Sequence, residues 1–460
     1  MLAKGRVRSV RDKKRTLLLG AGASAEAGVP VATKMTTHLH DLSSKGLMDV
    51  DVEVFRFVAG GILLRKGVRG DSPFGGVEVE ELLNALSLLG ERDDLEVTAF
   101  VGAWHPRVEA LDRAQGLEPA LAHLETEIVR SVADALEKSL SGNQGTGTVS
   151  REIDRELART LEGGLGSRSG GMTIAGSSSI GTRIAAQFQT KLQEVVRQMR
   201  SSAGAGRGRV RGAVRGALVE AQRSGKGRVF LDLQRRLTKY LSHLAWIEDP
   251  GRIEYLKPII EELQRRGRLV VASLNYDNAL ELLCRQHGET AYVGVDDWTW
   301  TSEVMLPARG LSLLKLHGSV DWTLDEAVEA GVNTRRMRVV AAEEVPKATH
   351  LPAVVFGGRS KLRAEGPFLD LLAAFRRELA STDELVVVGY SFRDEHINEY
   401  VKNWLAGSTD RTIVIVDPNA TKLESAFAKM LLSQGPSRVF AMNVNAGEGL
   451  SEVLQPDRLL

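Results

Sequence analysis

The sequence predicts a doubly wound, mainly parallel α/β sheet carrying a large helical insertion, and three observations predict it. After Pro250, short apolar, β-branched runs alternate with amphipathic helical stretches. Those runs end abruptly in glycine or polar residues, at the edge where such sheets bind ligands. Between about Leu111 and Leu244 the alternation gives way to helical periodicity broken by glycine and serine tracts.

Taken in order, Thr16 to Leu19 reads as a strand that ends in Gly20-Ala21-Gly22-Ala23-Ser24 and leads into a helix-compatible segment. From Val77 to Leu89, residues Val79, Leu82, Leu83, Leu86 and Leu89 recur at spacings of three and four, which gives a helix one buried face. Leu111 to Leu140, Ala185 to Met199 and Val229 to Leu244 carry the same helical period. Ser141 to Thr148 and Gly163 to Gly181 hold too little apolar surface to offset the entropy of ordering, and are expected as mobile loops. Further on, Leu269 to Leu274, Leu311 to Leu316, Leu385 to Val388, Ile413 to Val416 and Val439 to Val444 read as strands, with helices over Ala279 to His287 and Phe368 to Ala380. The expected organisation is a basic tail at 1–15, a first α/β part at 16–110, the insertion at 111–247, a second α/β part at 248–447 and a tail at 448–460.

Composition narrows the function classes. With 43% hydrophobic and 26% charged residues, the 460-residue chain is an ordinary water-soluble globular protein rather than a disordered one. A net charge of +1 supplies no global field for polyanions. Arg200, Arg207, Arg209, Arg211 and Arg215 form a local basic cluster, but without interleaved aromatics it reads as a solvated loop, so direct nucleic-acid contact is not expected. Cys284 is the one cysteine, which rules out an intrachain disulfide and a four-thiolate zinc site and makes a reducing cytoplasm the expected compartment. The basic N-terminus leads only into Leu17-Leu18-Leu19, too short for a secretory signal, and no run approaches the roughly 20 apolar residues of a membrane span.

The strand ends carry the chemistry. Small residues in Gly20-Ala21-Gly22-Ala23-Ser24 let backbone N–H groups approach a pyrophosphate, although a tight strand-to-helix turn needs the same residues. Asn275 can hold a sugar hydroxyl or a water and Asp277 an amide donor, although both residue types also cap helices. His317, where the Lys315-Leu316-His317-Gly318 run turns polar, is the candidate base, since imidazole titrates near neutrality; a hydrogen-bonded structural histidine is the alternative. Gly389 and Ser391 end a fourth strand, and Asp417 and Asn419 a fifth. Ser391 can donate to a phosphate or ribose oxygen, and Asp417 or Asn419 can pair with ribose hydroxyls, while turn roles suit the same residues.

In this order the motifs resemble the sirtuin superfamily. Gly-Tyr-Ser-Phe-Arg-Asp from Gly389 and Leu-His-Gly-Ser-Val-Asp-Trp from Leu316 look closest to its bacterial branch in antiviral defence. The resemblance implies a Rossmann-like sheet and NAD as substrate. It implies a hydrolase that cleaves the nicotinamide to ribose bond, with Asn275, His317 and Asp277 as catalytic candidates. Gly20, Ala21, Gly22, Ser24, Gly389, Ser391, Asp417 and Asn419 would bind the dinucleotide. It also implies a homo-oligomer, restrained until infection, with a defence partner such as a HerA-type ATPase or a phage-derived trigger. Protein-deacetylating sirtuins carry four zinc-binding cysteines and an Asp-Phe-Arg segment; here there is one cysteine, and Val31-Ala32-Thr33 follows Pro30, so no zinc or other metal is expected. Deacylation, ADP-ribosyl transfer and a non-catalytic NAD or ADP-ribose sensor are the competing readings. The insertion is expected to form an assembly or regulatory surface. Trimming its helices should change oligomeric state, activity or solubility, as read by sedimentation and product analysis; a chain that is always monomeric and unaltered by trimming would refute this.

Overall fold

All six apolar runs expected as strands are strands of one parallel sheet, the central ones buried on both faces and the edge run from Val439 only in part. They are β1 (Arg15–Leu19), β2 (Arg268–Ser273), β4 (Gly310–Lys315), β9 (Glu384–Val388), β10 (Thr412–Val416) and β11 (Val439–Met442), with a two-residue edge strand, β3 (Ala291–Tyr292). The sheet order is β11-β10-β9-β1-β2-β4-β3, and every neighbouring pair is parallel. From β1 the chain steps outward through β2 to β4, then returns to the other side of β1 as β9. The order therefore reverses between β1 and β9, where doubly wound sheets open a ligand crevice. The computed structural model describes residues 13–45, 52–70, 72, 75–95, 97–98, 105–108, 227–296, 298–299, 302–329, 332–347, 350–356 and 366–455.

The described helices are α1 (Ala32–Ser44), α2 (Val52–Val68), α3 (Val79–Gly90), α4 (Arg228–Ala245), α5 (Lys257–Arg266), α6 (Ala279–Gln286), α7 (Phe368–Ala380), α8 (Glu395–Ala406), α9 (Ala426–Leu432) and α10 (Ala446–Val453). Helix α7 has the expected bounds and buries Phe368, Leu371, Leu372, Phe375 and Leu379, one stripe of a 3.6-residue period. Helix α5 starts with a proline in its first turn and stops at Gly267, whose φ of 72° is left-handed and whose N–H closes on Leu263. The chain divides into two compact units, Met1–Ala85 with Leu233–Leu460, and Leu86–Asp232. The first holds the sheet. In the second, the Arg92 guanidinium lies over the Phe230 ring, 5.9 Å from its centroid.

Four features differ from the sequence reading. Arg15, expected at the end of a basic tail, begins β1, because its guanidinium is held by Glu262 and Glu384. From 448 the chain continues α10, which buries Leu450 and Val453, rather than trailing away. The antiparallel ribbon β6 (Trp322–Glu329) with β7 (Val332–Val339), and the small pair β5 (Gly318–Ser319) with β8 (Ala353–Val354), were not foreseen. The basic cluster, the Ser141 to Thr148 and Gly163 to Gly181 tracts and the first two insertion helices lie outside the described residues.

Opposite the crevice, charge holds the strand starts together. Glu262, fully buried, receives Arg15 at 2.8 Å and Arg266 at 2.5 Å, with Arg265 alongside. Burial, and then the neighbouring Arg15, lower the Arg266 pKa, so these cations depend on the carboxylates between them. Glu378 takes Arg268 in a two-pronged pair at 2.9 Å on each arm. Burial alone would raise its pKa, but Arg268 and Lys14 leave it below the usual 4.5. A depressed carboxylate stabilises the fold above its unfolded pKa, so Glu378 contributes at neutral pH and loses that contribution as pH falls below about 4.5. Glu262→Ala strands buried guanidinium groups and should cost about 3–5 kcal/mol in urea unfolding at pH 7. A loss under about 1 kcal/mol would show that the cluster contributes little to stability.

Candidate functional site

The turn after β1 has the length and tightness that its glycines permit. A short 3-10 turn, Ala21–Ser24, follows Gly20 directly. Gly20 N–H donates to Val388 O and Gly22 N–H to Gly389 O, both at 2.9 Å, so the loop is sewn to the end of β9. A Cβ on Gly20 would stand 2.6 Å from Gly389 O, and one on Gly22 2.8 Å from Gly389 Cα. Gly389 has φ +63°, and a Cβ there would lie 2.2 Å from the Ala23 nitrogen. Three glycines thus meet at the reversal of strand order, where no side chain fits.

Asn275 ties the next strand into this turn. Its Nδ2 donates to Gly20 O and to Ser24 Oγ, each at 2.9 Å, and its own N–H is taken by Ser273 Oγ. The structure therefore brings together Gly20, Gly22, Ser24, Asn275 and Gly389. With Nδ2 committed, Asn275 offers its Oδ1, an acceptor suited to a hydroxyl or a water. Asp277 Oδ1 accepts the Ala279 N–H, so the capping role foreseen for it is filled at the start of α6.

Behind Asn275 lies a buried charge cluster that the sequence reading missed. Lys315, 1% exposed, donates to Asp277 O and Ser319 Oγ, both at 2.5 Å, and to Glu281 Oε1 at 2.9 Å. Burial lowers its pKa, but Glu281, Asp321 and Asp277 outweigh that and hold the ammonium above the ordinary lysine range. Glu281 is raised, first by its own burial and then, against the pull of Lys315, by Asp321. Ser24, Asn275, Asp277, Glu281 and Lys315 line a small cleft whose apolar wall includes Leu256. The lone thiol, Cys284, is pushed up to about 12 by burial and by Glu281, which disfavours its thiolate form at neutral pH.

His317 sits apart from these contacts. Its Nε2 is 2.9 Å from Asp394 Oδ2, and its Nδ1 is 3.9 Å from Glu80 Oε1. Tyr276 donates to the same Glu80 oxygen at 2.7 Å; burial, then Glu80, keep that phenol protonated. Asp394 opens α8, and His396 Nδ1 lies 2.7 Å from its Oδ1. The loop leading there is held in a rare conformation: Phe392 has φ +55°, its carbonyl accepts Asn398 Nδ2, and its buried ring packs on Tyr390. Asp394 closes the Gly-Tyr-Ser-Phe-Arg-Asp motif, but nothing in the sequence marked it, Glu80 or His396 as a neighbour of His317, because they reach it only through tertiary folding.

The other candidates lie along the same edge of the sheet. Ser391 and Asn419 are exposed, as is Ala21. Asp417 Oδ1 accepts the Asn419 N–H at 2.7 Å in a turn after β10, and burial raises its carboxyl above the ordinary range. Residues 269–434 match the family model described as a SIR2-like domain. That match takes in Asn275, His317, Gly389 and Asp417 and leaves the glycine turn outside it. No curated protein matches the chain. Among the described residues, no helix is long and apolar enough to cross a membrane.

The meeting of the glycines can be measured. Gly288 also has positive φ, 71°, but a Cβ there would meet nothing within 4 Å. Gly288→Ala should cost only the left-handed penalty of about 1–2 kcal/mol. Gly389→Ala adds a backbone collision and should cost clearly more in the same denaturant titration. Equal losses would show that the turn can separate from β9 without penalty.

Proposed function

We propose, from the match of residues 269–434 to the SIR2-like domain model, that the protein handles NAD and is an NAD glycohydrolase yielding nicotinamide and ADP-ribose. The observation that carries the reading is the pairing of Asn275 with Gly20 and Ser24 at the reversal of strand order, beside a polar cleft. A pyrophosphate at the glycine turn puts the adjoining ribose against the Asn275 amide. In the reaction the anomeric C–N bond breaks, and its electron pair neutralises the pyridinium nitrogen of the leaving nicotinamide. A water oxygen bonds to the anomeric carbon and gives up a proton, which His317 accepts. Asn275 Oδ1 orients that water or a ribose hydroxyl, so its contribution is preorganised geometry. Asp277, its Oδ1 engaged at α6, acts from the cleft on the nicotinamide side. Gly389, Ser391, Asp417 and Asn419 extend the dinucleotide path along the strand ends toward the adenosine ribose.

The wording of the His317 and Gly389 motifs supports a regulated defence effector that depletes NAD, acting as an oligomer under a partner protein or a phage-derived trigger. The single cysteine disfavours the zinc-bearing deacylase reading.

His317→Ala should lower nicotinamide release roughly 10²–10⁴-fold with little change in NAD affinity. Asn275→Ala should lower both, since it also leaves Gly20 O and Ser24 Oγ without their donor. Released nicotinamide, calorimetric NAD binding and thermal unfolding, measured at several protein concentrations, check this. Turnover retained in both folded variants would remove these residues from the mechanism. Acyl-lysine turnover by the wild type would favour the deacylase, and tight binding without turnover the sensor.

A further inference from the structure

His317 and His396 are distant in sequence, and folding brings both onto one carboxylate. His317 Nε2 lies 2.9 Å from Asp394 Oδ2, and His396 Nδ1 lies 2.7 Å from Asp394 Oδ1. One ligand atom from each of the three residues falls within 4.8 Å of the other two. His317 is 3% exposed, yet neither ring nitrogen has a hydrogen-bond partner. Its approach to Asp394 is close, yet the pair does not have the alignment of a hydrogen bond. A buried imidazole left without a hydrogen-bond partner calls for another ligand.

A metal ion fits that spacing. An ion about 2.1 Å from each of two atoms separated as His317 Nε2 and Asp394 Oδ2 are would see them at about 90°. That is the angle between adjacent ligands of an octahedral set. Two imidazoles and one carboxylate on one side of an ion, with the remaining positions open, suit first-row divalent transition metals. Magnesium and calcium, which take oxygen ligands, suit the set poorly. Asp394 is held for the role by the Tyr390 hydroxyl, which accepts its N–H at 3.3 Å, and by the strained Phe392 turn before it.

We propose that His317, Asp394 and His396 bind one divalent first-row transition-metal ion, and that this ion switches off the reaction by taking the imidazole that serves as its base. The regulatory half rests on the hydrolase reading; the site does not. With Nε2 on the ion, the neutral ring carries its proton on Nδ1, and neither nitrogen can accept another.

The test is calorimetry and metal analysis of the full chain with Zn²⁺, Ni²⁺ or Mg²⁺, on wild type, His317→Ala, His396→Ala and the milder His396→Gln. Wild type should take one Zn²⁺ or Ni²⁺ per chain, with no competition from Mg²⁺. Losing a ligand should weaken binding at least about tenfold, no less than losing an outer-shell partner does. Zn²⁺ should suppress wild-type nicotinamide release, while the His396 variants keep their metal-free turnover and resist Zn²⁺. No stoichiometric binding, binding unchanged in all three variants, or displacement by Mg²⁺ would overturn the site. Binding as expected with uninhibited turnover would overturn the regulatory half. If no nicotinamide is released at all, the hydrolase reading and the regulatory half fall, while the metal titration still decides the site.

Discussion

Everything at the candidate site depends on how closely β1 and β9 approach just beyond their last residues. Gly20 and Gly22 are bonded to Val388 O and Gly389 O, and a methyl group at any of the three glycines would overlap backbone atoms. Backbone cannot give way as a flexible side chain does, so the contact fixes the path of the turn. With the turn in place, Gly20 O and Ser24 Oγ stand where one amide from β2's end can reach both. The reversal of strand order creates the crevice, and the absence of Cβ atoms lets it hold a narrow, polar floor.

The fold was legible where burial on both faces left a continuous apolar run. Leu385 to Val388 and Ile413 to Val416 are fully buried or nearly so, and such runs have few readings besides a central parallel strand. The ribbon of β6 and β7 was not legible, because it lies outside that sheet. Asp325, Arg335, Arg336 and Arg338 interrupt any apolar alternation, and the ribbon is held instead by its ladder and by Arg338 reaching Asp325 at 2.7 Å. Arg15 and the residues of α10 were misread for a related reason. Their places depend on partners far away in sequence: Glu262 and Glu384 for the arginine, the sheet core for Leu450 and Val453.

The site was legible only as a set of strand ends. Asn275, His317, Gly389 and Asp417 stand at such ends because the apolar runs before them stop there, and local sequence shows where a run stops. Local sequence does not show which polar side chains come from other elements. Glu80 arrives on α3, Asp394 at the cap of α8 and His396 in its first turn, and Glu281 on α6. The competing capping roles were also real. Asp277 holds the first turn of α6 and Asp417 its own turn, so each has part of its carboxylate committed to the backbone.

Three consecutive residues after β2 show how one irregular segment serves several tasks. Asn275 reaches back to the glycine turn, Tyr276 donates to the glutamate beside His317, and the Asp277 carbonyl receives the buried Lys315 ammonium. A continuing strand would have sent alternate side chains to opposite faces of the sheet. Ending the strand at Ser273 frees each residue to take its own direction, and helix α6 then locks the segment through Asp277 and Asn278, whose amide grips Ile247 at both its N–H and its C=O. The glycine turn, the glutamate beside His317 and the buried cation are thereby all reached from a single short stretch of backbone. A shift in that stretch disturbs all three contacts together, so the segment from Asn275 to Asn278 couples the glycine turn to the groups around His317.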